Sequence, residues 1–211
     1  MNISATSIKS TTSIASAKRV TAPLCREEAR SLQCGESVLL SGVIYTARDA
    51  AHKRMAQLIE QGEKLPFPIN EAVIYYVGPT PEKPGRVIGS AGPTTSYRMD
   101  AYAPGLINLG LTGMIGKGAR SPDVIDAMKE YGAVYFGALG GAGSLLARCV
   151  ITSDIIAFVD LGAEAIRKLI IRDMPLTVAI DSKGNDLYMQ GREEYLRWMS
   201  ERVERGVTHY E

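Results

Sequence analysis

Residues 92–98 (Gly-Pro-Thr-Thr-Ser-Tyr-Arg) combine three consecutive hydroxyl side chains with an arginine four positions after the first of them. The guanidinium group of arginine is a planar fork of donors that matches a carboxylate or a phosphate. Hydroxyl groups and the free backbone N–H groups at the beginning of a helix add further donors. The segment therefore predicts a site for a small anion, with Thr94, Thr95 and Arg98 as ligand-binding residues.

Two more cations follow other predicted strands. Arg48 comes directly after the strand predicted for residues 37–47, and Lys117 lies in a Gly-Lys-Gly turn after the strand predicted for residues 111–115. Binding sites of α/β proteins form where strands end, so both cations are candidate ligand-binding residues. Each also has a plainer interpretation: Arg48 could pair with an acidic residue at the surface, and the Gly-Lys-Gly segment could be an ordinary flexible turn.

Other segments give weaker signals. The glycine-rich residues 137–143 resemble a dinucleotide-binding loop but lack the GxGxxG spacing. Close packing of the backbone against the sheet or a ligand explains these glycines better. His52 lies one helical turn after Arg48 and is expected to have a structural or supporting role. Asp100 is expected to orient Arg98, because the two are close in sequence.

Hydrophobic periodicity predicts a mixed α/β chain that would position these residues. Strands are predicted for residues 37–47, 72–77, 87–90, 111–115, 133–139, 155–161 and 176–180. Helices are predicted for residues 49–61, 102–109, 122–131, 144–149 and 192–205, and residues 166–171 fit either type. Ser121, followed by Pro122, is the expected N-cap of the third helix.

Composition narrows the class of protein. The chain has 211 residues and a net charge of +1, so no overall positive charge favours nucleic acid. No apolar run approaches the roughly 20 residues that span a bilayer. The three cysteines (Cys25, Cys34 and Cys149) are scattered and form no CxxC pair, which argues against a disulfide framework or a zinc site and favours a reducing cytoplasm.

The first residues differ from the rest of the chain. Eight of the first sixteen are Ser or Thr, and the first twenty include three basic residues and no acidic one. Residues 1–19 are therefore predicted to be a disordered leader, with an organelle transit peptide as the alternative. Residues 20–211 are predicted to form a single catalytic domain.

Five segments together resemble a known family. Residues 42–54, 92–100, 113–132, 133–143 and 178–186 are similar to the β subunit of class I, iron–sulfur fumarate hydratases, which is also the C-terminal domain of single-chain versions. The β subunit of L-tartrate dehydratase is similar at lower fidelity. The resemblance covers roughly residues 20–205. Tyr97 departs from the family pattern, which has a smaller residue there.

The resemblance implies a swivelling β/β/α three-layer fold and reversible hydration of fumarate to (S)-malate. It implies that a [4Fe–4S] cluster acts as the Lewis acid and is bound by a partner α subunit. This chain would then hold no metal and be inactive alone, in a hetero-oligomer. Arg48, Thr94, Arg98 and Lys117 match substrate-contacting positions of the family. Thr94 would take part in proton transfer, and positioning of substrate or water is an equal possibility.

Three other functions remain open at this level. The same chemistry could act on another diacid, such as tartrate or mesaconate. The chain could instead be a non-catalytic module that binds a dicarboxylate. A nucleotide-binding enzyme is the least favoured, because the glycine-rich segment lacks the required spacing.

Overall fold

The structure is a computed structural model that describes residues 17–139 and 141–204. Its strands are β1 Lys18–Ala22, β2 Ser37–Thr46, β3 Val73–Tyr75, β4 Gly113–Gly116, β5 Val134–Gly137, β6 Val150–Ala157 and β7 Ile166–Ile180. Its helices are α1 Arg26–Ser31, α2 Asp49–Glu60, α3 Ala103–Asn108, α4 Pro122–Tyr131, α5 Gly143–Arg148 and α6 Leu187–Glu204. Two further segments, Ser96–Met99 and Val159–Glu164, are 3₁₀-helical.

The seven strands form one mixed sheet in the order β1-β2-β3-β4-β5-β7-β6. Strands β1 to β5 run parallel to one another, and β7 is antiparallel to β5 and β6. Because the long β7 also pairs with β2, the sheet closes into a barrel-like arrangement. Strands β2, β3, β4 and β5 all end at one rim, called here the carboxyl edge.

Alternation along the strands creates two hydrophobic cores. In β3, Val73 and Tyr75 face one core, which also receives Leu40, Ile44 and other side chains of β2. Ile74 faces the opposite core, where helices α2, α3 and α4 contribute their apolar faces. Both faces of the sheet are therefore buried, as expected for parallel strands covered by helices.

Most predicted elements are present, and the predicted α/β class is confirmed. Residues 166–171, which fitted either type, belong to strand β7. The predicted helix at 192–205 begins earlier, at Leu187, as α6. The predicted leader lies outside the described residues except for residues 17–19, of which Lys18 and Arg19 begin β1.

Two strand predictions are wrong in part or in full. Residues 87–90 form no strand, because this segment folds back so that Ser90 and Thr80 exchange hydrogen bonds instead of joining the sheet. The strand predicted for residues 155–161 stops at Ala157, because Phe158 adopts a left-handed conformation with φ 55°. Strand β1 and helix α1 were not predicted at all.

Candidate active site at the carboxyl edge

The structure brings the predicted site residues to one edge of the sheet. Arg48 follows β2 and Lys117 follows β4. The segment from Thr94 to Arg98 lies between them, because the Thr94 backbone N–H donates to the carbonyl of Tyr76 at 2.7 Å. Thr95 pairs with Lys117 in a short parallel bridge. Residues as far apart in sequence as Arg48 and Lys117, 69 positions, thus share one rim of the barrel.

Two acidic residues connect the two arginines. Arg48 Nη2 lies 3.2 Å from Glu164 Oε1, and its Nε lies 3.7 Å from Asp49 Oδ1. The other carboxylate oxygen of Asp49 lies 2.5 Å from Arg98 Nη2. Arg48 therefore does pair with acidic residues, as its plainer interpretation held. One of them, Asp49, also pairs with Arg98, so the acids and arginines form a network.

This network leaves polar atoms unsatisfied. Arg48 Nε and Asp49 Oδ1 are buried, and neither has a hydrogen-bond partner among the described residues. The half-buried Lys117 ammonium has no carboxylate within ion-pairing distance in the described parts of the chain. Buried polar groups without partners are costly, and the donors in this set, Arg48 Nε and the Lys117 ammonium, indicate a place for an anionic ligand.

The three consecutive hydroxyls have different environments. Ser96 is fully buried, and its Oγ lies 2.9 Å from the Tyr135 hydroxyl. The methyl group of Thr95 packs toward Gly118, and it lies 3.4 Å from the position that a Cβ on Gly118 would occupy. Thr94 is half-buried and makes no side-chain hydrogen bond to the described residues. Ser96 is thus structural, whereas the Thr94 hydroxyl is left available.

The turn that carries Lys117 is held from both sides. The Tyr135 hydroxyl donates to the Gly118 carbonyl at 3.0 Å, and the Gly118 N–H donates to the Tyr188 hydroxyl at 3.1 Å. The Ser96 N–H also donates to the Lys117 carbonyl at 2.9 Å. These bonds fix the backbone of the turn, so it is not the flexible turn of the plainer interpretation.

The side chain of His52 is buried beneath this edge. His52 Nδ1 lies 2.9 Å from the Arg48 carbonyl, which requires the proton to be on Nδ1, and its Nε2 is buried without a partner. Burial lowers the pKa of His52 to about 4, against the effect of that hydrogen bond, which raises it. His52 is therefore neutral at neutral pH and supports Arg48 from below, in agreement with the supporting role predicted for it.

The prediction that Asp100 orients Arg98 is wrong. Asp100 accepts hydrogen bonds from Arg120 Nε at 2.7 Å and from the Ser121 N–H at 2.6 Å. Arg98 leaves the 3₁₀ turn toward Asp49 instead. Ser121 is the N-cap of α4 as predicted, but its side chain makes no capping hydrogen bond, and its own backbone N–H donates to the Asp100 carboxylate.

The glycine-rich segment packs closely against the site loop. A Cβ on Gly143 would stand 2.8 Å from the backbone N of Gly92 and 2.5 Å from Ser90 Oγ. The Ala91 N–H also donates to the Gly143 carbonyl at 3.0 Å. Glycine is thus required at 143 by the close approach of two backbones.

The cysteines of this chain do not fit an iron–sulfur cluster. No group of three or more His, Cys, Asp and Glu side chains in residues 17–139 and 141–204 is placed to hold a metal ion. Burial, together with Asp181 and Asp186, raises the pKa of Cys34 to about 11, and burial raises the pKa of Cys149. Cluster ligands are thiolates, so these environments disfavour the ligand form.

Known proteins that are similar in sequence to this chain act on, or are named for, small dicarboxylates. The family model described as Fumarase C-terminus matches residues 3–191. A Methanocaldococcus jannaschii protein provisionally named L(+)-tartrate dehydratase subunit beta is 37% identical over 186 residues, which cover 85% of this chain and 95% of that protein. The aerobic class I fumarate hydratase of Escherichia coli K12 is 40% identical over 153 residues, 72% of this chain. Fumarate hydratase 2 of Leishmania major is 38% identical over 165 residues, 77% of this chain.

The shares of the relatives that are covered differ. The chain spans only 28% of the Escherichia coli enzyme and 29% of the Leishmania enzyme.

The fold and the site together define a class: an α/β protein in which cationic and hydroxyl side chains at the strand ends form a candidate site for a small anion. The chain belongs to the fumarase C-terminus family, so the resemblance predicted from sequence is confirmed.

Sequence reasoning missed three residues of this edge. Asp49 was visible beside Arg48, but its bridge to Arg98 could not be inferred from the order of residues. Glu164 gives no local signal, since it reaches Arg48 across 116 positions in sequence. Tyr188 lies in the first turn of the last helix, and only the folding of the chain brings it to the Lys117 turn.

Proposed function

We propose that this chain is the beta subunit of a hydro-lyase that interconverts fumarate and (S)-malate, supplying residues that bind the substrate carboxylates. The observation that carries the proposal is the set of donors at one edge: Arg48 Nε, which is buried without a hydrogen-bond partner, Arg98, which Asp49 links to Arg48, and Lys117, which has no ion pair among the described residues. Membership of the fumarase C-terminus family supports the same chemistry.

The proposed ligand fits the charges of the site. Fumarate and malate each carry two carboxylates, and Arg48, Arg98 and Lys117 offer three cations, two of them already balanced in part by Asp49 and Glu164. A dicarboxylate would use the donors that those acids leave open. Each charge-assisted hydrogen bond contributes on the order of 1.5–3 kcal/mol, enough for specific binding of a small diacid.

The same donors would favour the reaction. Removing a proton next to a carboxylate builds negative charge on that carboxylate, so cations aimed at it stabilise the transition state more than the ground state. Thr94 has an available hydroxyl and is held by its backbone bond to Tyr76. Its proposed role is to move a proton or to position substrate or water, with Thr95 and Lys117 forming the adjacent wall.

The proposal assigns the [4Fe–4S] cluster to a partner, because the cysteines of this chain do not fit it. Three of the most exposed large apolar side chains, Leu139, Val159 and Tyr97, follow strand ends or site loops and are 78%, 70% and 67% exposed. Large apolar side chains that remain exposed together at one edge are typical of a surface that another protein covers. A cluster-bearing alpha subunit is the proposed occupant, in a hetero-oligomer.

Two finer assignments belong to the same proposal. The swivelling β/β/α three-layer class rests on the family resemblance, and the barrel-like sheet with helices over one face is compatible with it. A cytoplasmic location is supported by the three free, partly buried cysteines. In the part of the chain that the structure describes, no helix combines the length and apolar character needed to cross a bilayer.

A second substrate has a specific observation in its favour. The relative from Methanocaldococcus jannaschii, whose name refers to L(+)-tartrate, matches over 95% of its length. Tartrate carries the same two carboxylates and an additional hydroxyl. Tyr97, which is exposed beside Arg98 and departs from the family pattern, is the residue proposed to influence which of the two substrates is bound.

The test is reconstitution with a cysteine-bearing alpha subunit under anaerobic conditions. The complex should interconvert fumarate and malate, and each subunit alone should be inactive. Turnover of tartrate without turnover of fumarate would replace the substrate assignment while keeping the site. A fully assembled complex that turns over neither diacid but binds malate would favour a non-catalytic module.

A further inference from the structure

A second basic cavity lies outside the candidate active site. It has a volume of about 570 Å³ and lies between the loop that precedes Gly92 and the junction of α5 with β6. This size falls within the range of about 300–1,000 Å³ typical of small-molecule sites. No residue of the Arg48, Thr94, Arg98 and Lys117 set lines it.

The charges around this cavity are of one sign. Lys83, Arg86 and Arg148 line it, and no acidic residue does, although Glu82 is next to Lys83 in sequence. Within the described residues, none of the three cations has a carboxylate at ion-pairing distance. In contrast, both arginines of the candidate active site are paired. The cavity therefore concentrates positive charge that the protein does not balance.

Neutral groups complete the lining. The hydroxyls of Ser90 and Ser144 face no described hydrogen-bond partner, while Thr80 Oγ1 accepts from the Ser90 N–H at 2.8 Å. Ile88 and Val150, both nearly fully buried, give the cavity an apolar floor. Hydroxyl donors above an apolar floor suit a ligand with an anionic end and a less polar body.

The backbone around the cavity is closely fixed. The Thr80 N–H donates to the Ser90 carbonyl at 3.0 Å, and Ala91 is bound to Gly143 at the same distance. A Cβ on Gly89 would stand 2.2 Å from the Thr80 carbonyl oxygen. These contacts fix the base of the loop at Thr80 and Ser90, and the exposed Lys83 and Arg86 line the same cavity as Arg148.

We infer that this cavity is a binding site for a small phosphorylated anion, separate from the dicarboxylate site. Three unpaired cations suit a group with two or more negative charges, and a phosphate accepts from both arginine forks and a lysine. The inference does not depend on the reaction proposed above, since none of its residues binds the substrate.

Inorganic pyrophosphate is the probe, titrated by calorimetry into the full chain and into its complex with the alpha subunit. Binding at low salt with Kd below about 1 mM is expected, weakened at least about tenfold by Arg86→Ala with Arg148→Ala. The matched control removes two arginines from α6, by Arg192→Ala with Arg197→Ala, and should leave the affinity unchanged. Arg98→Ala should also leave it unchanged.

Four results would overturn the inference. They are an absence of binding, equal weakening in the α6 control, loss of binding only in Arg98→Ala, and binding to the free chain that disappears in the complex. The third would place the anion in the active site, and the fourth would show that the cavity belongs to the subunit interface. Circular dichroism of each variant verifies that the fold is retained.

Discussion

Asp49 pairs with two of the cations in the candidate site and so fixes their positions. Its carboxylate lies 2.5 Å from Arg98 and 3.7 Å from Arg48, so one acid orients two arginines before any ligand arrives. Arg98 remains partly exposed and retains other N–H groups. It is therefore the cation whose removal should affect the substrate most and the fold least.

Replacing Arg98 by alanine should lower kcat/KM of the reconstituted complex by about 100-fold or more, as for loss of a donor to developing negative charge. Steady-state kinetics with malate measure the effect. Arg19→Ala is the control, because Arg19 is also an exposed arginine paired with an aspartate, Asp173, in another part of the fold. Near-normal turnover by Arg98→Ala would remove this residue from the site.

His52 should make the chain sensitive to acid. Because burial lowers its pKa to about 4 from 6.5, the unfolded chain binds a proton below pH 6.5 that the folded chain does not. The contribution of His52 to the free energy of unfolding is fully present above pH 6.5 and decreases as the pH falls toward 4. Between pH 7.5 and pH 5 it decreases by about 2 kcal/mol. Urea unfolding at both pH values measures it.

The control for this prediction is the second histidine of the chain, His209. His52→Gln should reduce the difference in unfolding free energy between the two pH values by about 2 kcal/mol. His209→Gln should leave that difference unchanged. An identical difference in wild type and His52→Gln would show that His52 is not the buried neutral group described here.

At the scale of elements, local patterns and long-range contacts were not equally predictable. Strand β2 and helix α2 were predicted within one residue at each end, because alternating apolar residues and an amphipathic face are local signals. The placement of Arg48 and Lys117 at strand ends followed from the same signals. The pairing of Arg98 with Asp49 rather than with Asp100 did not, because it depends on how two loops meet.

Gly116 tests how β4 supports the site loop. A Cβ there would stand 2.0 Å from Ser96 Oγ, so alanine would force the Thr94 to Arg98 segment outward. Gly116→Ala should lower kcat/KM by at least about tenfold, since small displacements of a positioned group have large effects on rate. Gly105→Ala is the control, because nothing lies within 4 Å of a Cβ at that position.

Removing the obstructing hydroxyl completes this test. The double variant Gly116→Ala with Ser96→Ala should recover part of the lost activity, although it also loses the bond to Tyr135. Activity no better than that of Gly116→Ala would mean that the contact with Ser96 is not the cause. Thermal unfolding of all variants separates loss of position from loss of fold.

Tyr188 tests how helix α6 supports the Lys117 turn. Its hydroxyl accepts the Gly118 N–H, so Tyr188→Phe leaves that donor without its partner and loosens the turn. The ratio kcat/KM should fall several-fold, because Lys117 is proposed to bind a substrate carboxylate. Tyr195→Phe in the same helix should match wild type, and equal kinetics for both variants would contradict the role of Tyr188.

For the whole molecule, the apolar residues at the carboxyl edge predict where the partner binds. Val159 follows β6, begins the 3₁₀ segment that ends at Glu164, and is 70% exposed. Burying an aspartate there without a counter-charge is costly, so Val159→Asp should weaken association with the alpha subunit at least about tenfold. Sedimentation analysis of the two subunits measures this association. Excess alpha subunit should restore the rate of turnover, since Val159 is not proposed to touch substrate.

Leu109→Asp is the control, because Leu109 is also apolar and exposed but precedes β4 at the opposite edge of the sheet. Equal weakening by both substitutions would show that the partner does not bind specifically at the carboxyl edge, and the shared site proposed here would then need another surface.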